Sequence, residues 1–141
     1  QQQIWGVALA SAYSVQNNEL TQAILTENDL PNATVEAAKI ASTIMAMNNV
    51  YYRFVYMSNH DEIKKMPTRL RMNMMSQTGV EKKDFELYAL AASILNGCDW
   101  CVKAHTKGLE KLGVSVVGIQ SVARIAAVIH AAHQALKIEE L

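Results

Sequence analysis

Apolar residues recur along this chain at spacings of three and four, and they nowhere alternate with polar residues for long. That periodicity predicts helices and no convincing strand. A first helix is expected over Gln3 to Tyr13 and a second from Asn18 through Leu25, followed by a loop over Glu27 to Asn32. Asn32 or Thr34 suits the cap of a long third helix, in which Val35, Ala38, Ile40, Ile44 and Met47 keep helical spacing towards Tyr56. His60 to Met66 is polar and reads as a connection or a short helix. Pro67 fits the first turn of another short helix over Thr68 to Met75. Thr78-Gly79 breaks the chain. Helices follow over Lys82 to Leu95 and Cys98 to Leu112, separated by Asn96-Gly97. Gly113 is a natural stop, and Ser115 can cap the turn before a last apolar helix over Ile119 to Leu136. The expected fold class is all-α, a helical bundle with short loops.

Two stretches echo two others in the same order. Ile4 with Ala8-Leu9-Ala10 resembles Phe85 with Ala89-Leu90-Ala91, an offset of 81. Ala38 to Ile44 resembles Ala123 to Ile129, an offset of 85. The near-equal offsets suggest duplication of a helical unit, with approximate halves at residues 1–66 and 67–141 of a single domain. In such a duplication, Asn17 and Leu20 occupy the places of Cys98 and Cys101, so only the second half carries the cysteines.

Composition narrows the function. The chain has 141 residues, half of them apolar, enough for one buried core. The 13 basic and 13 acidic residues balance, and no long block of like charge occurs, so no nucleic-acid footprint is present. No uninterrupted apolar run reaches the length needed to cross a bilayer, so no membrane partner is expected. The opening Gln1-Gln2-Gln3-Ile4-Trp5 lacks a basic region, a cleavage site and an initiator Met, which points to a cytoplasmic protein whose first residues lie upstream of this sequence. In reducing cytosol, two close cysteines point to catalysis or metal binding rather than a staple.

The two cysteines, Cys98 and Cys101, form a Cys-x-x-Cys. With Asn96 as a cap and Gly97 as the turn, Cys98 is expected in the first turn of a helix, where free amides and the helix dipole favour a thiolate. Helical spacing brings both sulfurs to one face, within reach of a disulfide. His105 follows Cys101 by four residues on the same face and is placed to take a thiol proton. Glu86, on the preceding helix, could turn back towards His105 and fix its tautomer. Other readings weigh against this one. The pair could be half of a zinc site completed from His105, His130 and His133, although no second Cys-x-x-Cys exists. His130 and His133, spaced i, i+3, otherwise read as helix residues. His60 reads as a surface residue, the seven methionines as core filler, and Trp5 and Trp100 as packing residues.

Glu86, Cys98, Cys101 and His105 together resemble the active-site signature of the alkylhydroperoxidase D family, within the carboxymuconolactone decarboxylase-like superfamily. Ile4 to Ala10, Met47 to Phe54, Met66 to Asn73 and Val122 to Val128 are similar to family stretches too, so the likeness spans nearly the whole chain. The resemblance implies an all-helical, internally duplicated fold and a homotrimer or a multiple of one. It implies an antioxidant peroxidase that reduces hydrogen peroxide and alkyl hydroperoxides with no bound cofactor or metal. On this resemblance Cys101 attacks the peroxide and becomes a sulfenic acid, and Cys98 donates a proton and then resolves it into the Cys98–Cys101 disulfide. His105 and Glu86 form the proton relay. An external dihydrolipoyl group on a carrier protein regenerates the dithiol. The alternative is a redox adaptor that passes electrons to a partner peroxiredoxin; a decarboxylase, as in the superfamily's other branch, has less use for a dithiol. One departure stands out. Some family members carry a His between the cysteines, whereas this chain has Asp99 and Trp100.

Overall fold

The computed structural model covers residues 1–141 and contains seven α-helices: α1 (Gln2–Ser14), α2 (Asn18–Glu27), α3 (Asn32–Ser58), α4 (Asp61–Lys65), α5 (Lys82–Leu95), α6 (Asp99–Lys111) and α7 (Val116–Glu139). A 3₁₀ turn, Asn73–Ser76, is the only other regular element. The all-α expectation holds. α1 and α5 are the core helices. Every residue from Gly6 to Ala12, and from Leu87 to Ser93, is buried. These segments are apolar or small on all sides, as expected of a helix enclosed by others. α1 packs on α2, α3, α5 and α7, and α5 packs on α3, α6 and α7.

Small residues set the spacing between the two core helices. At Gly6 an added Cβ would meet two ring carbons and the hydroxyl oxygen of Tyr88 at 2.5–2.6 Å. Tyr88 is 1% exposed, and burial, with a smaller contribution from Asp84, pushes its hydroxyl up to about 12. The ring has no room to withdraw. Gly6→Ala is therefore expected to destabilise the fold by about 3 kcal/mol, at the upper end of the range for overpacking. A urea melt read by helical circular dichroism checks this; an unchanged midpoint would contradict the close contact.

The two helix–turn–helix units formed by α1–α2 and α5–α6 share their turn geometry. The α1–α2 turn contains Val15 N–H to Ser11 C=O, Gln16 N–H to Tyr13 C=O and Asn17 N–H to Ala12 C=O. The α5–α6 turn contains Asn96 N–H to Ala92 C=O, Gly97 N–H to Ile94 C=O and Cys98 N–H to Ser93 C=O, each shifted by 81 residues. The middle residue is left-handed in both, with φ of 58° at Gln16 and 67° at Gly97.

Three details depart from the sequence expectations. The helix expected over Thr68–Met75 is absent, apart from the 3₁₀ turn. Met66 is extended before Pro67, as a residue preceding proline tends to be, and Arg69 has a left-handed φ of 54°. No residue between His60 and Gln77 is buried, so no packed face is available to hold a helix there. α3 is capped by Pro31 rather than by Asn32 or Thr34, and Thr34 is buried inside its first turn. α7 is long and apolar enough to cross a bilayer by length and composition alone, a feature that no unbroken apolar run announced. Arg124, His130, His133 and Lys137 interrupt its apolar positions, so no unbroken run revealed it. One side of α7 meets α1 and α5, while Val116, Val117 and Val128 stay exposed.

Candidate active site

The α5–α6 turn delivers both cysteines. Asn96 does not cap α6; it closes α5, and its side-chain amide donates to Asn49 Oδ1 at 3.0 Å. Gly97 takes the left-handed conformation that ends a helix, and Cys98 itself is the N-cap of α6. Its Sγ accepts from the Cys101 N–H at 3.3 Å. The corresponding cap in the first half is made by Asn17 Oδ1 to Leu20 N–H at 2.9 Å. Cys98 is thus placed one residue before the first helical turn, with an amide N–H aimed at its sulfur, an arrangement that suits a thiolate. Sγ of Cys98 is bonded to Sγ of Cys101, with Cα atoms 5.3 Å apart.

Below the turn lies a buried polar network. Asn49, with no exposed surface, donates to Ser93 Oγ at 3.0 Å and accepts from Asn96. It ties α3 to the end of α5, so the long helix and the dithiol turn are held in one register. Every polar atom of the set has a partner, as burial requires.

Glu86 and His105 meet as the sequence suggested. His105 Nδ1 lies 2.6 Å from Glu86 Oε2, with both side chains only 12–13% exposed. A carboxylate oxygen can only accept, so Nδ1 carries a proton and donates it. His105 Nε2 lies 3.3 Å from Met45 Sδ. A thioether accepts weakly, so it serves Nε2 when that nitrogen holds a proton. Cys101 Sγ is 3.5 Å from Asn48 Oδ1. In this disulfide-bonded form no hydrogen bond joins His105 to either sulfur.

The same residues line one cleft of about 320 Å³, which contains Cys101, His105, Glu86, Asn48, Met45 and Trp100. Cys98 does not line it. Cys101 is almost wholly buried at 1% exposed, yet it is the sulfur that faces this space. Trp100 turns towards α3 and stacks on Tyr52, with ring centres 4.1 Å apart and planes 16° from parallel. His130 and His133 are not part of the constellation. His133 Nδ1 lies 3.0 Å from Asn17 Nδ2, beside the α1–α2 turn.

Sequence reasoning missed Met45, Asn48, Asn49 and Tyr52 as neighbours of the dithiol. All four lie on one side of α3, at helical spacing. The stretch Met47–Phe54 was already conspicuous as similar to the family, and that was the available signal.

Comparison with known proteins identifies the family. Residues 61–139 match the Carboxymuconolactone decarboxylase family. An alkyl hydroperoxide reductase AhpD of Rhodospirillum centenum is 50% identical over 139 residues, covering 97% of this chain and 75% of the relative. The chain belongs to the alkyl hydroperoxide reductase AhpD family. A Coxiella burnetii relative of the same name is 49% identical over 98% of this chain and 79% of its own length. One from Acidobacterium capsulatum is 43% identical over 99% and 78%. The family resemblance read from Glu86, Cys98, Cys101 and His105 is thereby shown over nearly the full chain.

Proposed function

We propose that the protein is a peroxide-reducing dithiol enzyme, an alkyl hydroperoxide reductase in which Cys101 is the attacking sulfur. The observation that carries this reading is the cleft: Cys101 lines it and Cys98 does not, with the Glu86–His105 pair beside it. The Cys101 thiolate attacks the peroxide oxygen, the O–O bond breaks, and the alcohol or water leaves with a proton. Cys101 is then a sulfenic acid. Cys98, having given its proton to the leaving oxygen, attacks that sulfur as a thiolate, and the sulfenic oxygen leaves as water with the proton that His105, oriented by Glu86, took from the Cys101 thiol.

Regeneration is assigned to a dihydrolipoyl group on a carrier protein, which reduces the disulfide and is itself oxidised to the cyclic form. Attack on cleft-facing Cys101 expels Cys98, whose sulfur already accepts a backbone N–H at the start of α6. The proposal includes a cytoplasmic location, a homotrimer or a multiple of it, and an internally duplicated domain. A partner peroxiredoxin is proposed as a further electron acceptor. The matched backbone bonds of the two helix–turn–helix units support the duplication.

A thiol titration tests the core of the reading. One equivalent of peroxide should remove both thiols of the reduced protein, and dihydrolipoamide should restore them. Thiols that survive peroxide, or one equivalent of tightly held zinc in protein purified without chelator, would sink it.

A further inference from the structure

The cleft is longer than hydrogen peroxide needs. Along α6 it is lined by Cys101, Ala104, His105, Gly108, Lys111 and Leu112, a stripe at helical spacing on one face. Ten residues of helix separate Cys101 from Lys111, about 15 Å at the ordinary rise. Lys82, at the start of α5, lines the same cleft one turn before Glu86. Neither Lys82 nor Lys111 is in an ion pair, whereas Glu86, the carboxylate near them, is engaged with His105.

Gly108 lies midway along this stripe. Glycine is the least favourable residue in a helix interior after proline. Packing does not require it here: an added Cβ would find Glu86 Oε2 at 3.7 Å, an ordinary contact. Its effect is to leave the middle of the cleft open. Met45, Met75 and Leu112 supply apolar walls, and methionine adapts to varied ligand shapes. Beyond Met75 and Lys82 a second cavity of about 350 Å³ shares those residues and Glu86.

From this layout we infer that the cleft takes organic hydroperoxides whose aliphatic chain ends in a carboxylate, with the peroxide at Cys101, the chain over Gly108, and the carboxylate between Lys82 and Lys111. The inference rests on the peroxidase reading and names its substrate class. The cations attract the far end of the substrate, the apolar walls take the chain, and the peroxide oxygen is left to the sulfur.

The test compares kcat/KM for ω-hydroperoxynonanoate, its methyl ester and hydrogen peroxide, with dihydrolipoamide as reductant. The acid should exceed the ester about five- to tenfold at low ionic strength, the scale of one or two exposed ion pairs, and salt should shrink the ratio. In the double variant Lys82→Gln, Lys111→Gln the acid-to-ester ratio should fall to about one. In Gly108→Leu the ratio of ester to hydrogen peroxide should drop, while a urea midpoint at or above that of the parent shows an intact helix. An acid-to-ester ratio near one in the parent protein, or one that survives both lysine substitutions, would overturn the inference. Absence of turnover with all three peroxides would instead overturn the peroxidase reading on which it stands.

Discussion

Cys101→Ser should abolish steady-state reduction of an alkyl hydroperoxide, with a loss of at least about a thousandfold, the scale on which removing a nucleophile acts. A hydroxyl does not form the sulfenic acid that the cycle requires. Cys98 remains in that variant, but it does not line the cleft, so a peroxide bound beside His105 finds no second sulfur. Cys98→Ser should behave differently. It should also fail to turn over, yet it should form one trapped sulfenic acid per chain when peroxide and dimedone are added together. The contrast distinguishes attacker from resolver: a sulfenic acid that forms in Cys101→Ser and not in Cys98→Ser would reverse the assignment. The helix-start argument from sequence favoured Cys98 as the more acidic thiol. The proposed attack by Cys101 is compatible with this. An N-cap sulfur holding a backbone N–H is suited to leave as a thiolate, while the sulfur that faces the cleft is suited to attack.

Glu86→Gln should lower the rate of sulfenic acid formation by about a hundredfold, within the range for general acid–base groups. The amide keeps the shape of the carboxylate and removes its charge. It can also turn its NH₂ towards His105 Nδ1, which would force the ring into the other tautomer and leave Nε2 protonated. The 2.6 Å contact is enclosed, with little of either side chain in water, so solvent does not replace the lost acceptor. His105→Gln should have a comparable effect. Because the two residues act as one unit, the double variant should cost little more than either single one. A rate within threefold of the parent in Glu86→Gln, or fully additive losses in the double variant, would remove this pair from the proton path. Urea midpoints for each variant separate a relay effect from loss of the fold.

Much of this molecule was legible along the chain. The helices were readable from apolar spacing, and their ends from Gly97, Gly113 and Ser115, because helix propensity and capping act within a turn or two of sequence. Cys98, Cys101 and His105 were readable as one face for the same reason: residues three and four apart on a helix are neighbours whatever surrounds them. Glu86 was a weaker inference, since a break separates its helix from theirs.

What local signals left open was settled by packing. Asn96 has the composition of an N-cap, yet it ends α5: its N–H bonds Ala92 C=O, and its side-chain amide is held by Asn49, 47 residues earlier. Thr68–Met75 has acceptable helix residues, yet no face of it is buried. The α3 side chains that adjoin the dithiol, and the fact that Cys101 rather than Cys98 faces the cleft, depend on how α3, α5 and α6 come together. The sequence by itself determined the helices, the dithiol and its histidine, since these follow from interactions inside one helical turn. The tertiary structure alone decided which sulfur lines the cleft and how long that cleft runs, because those depend on many weak contacts between residues distant in the chain.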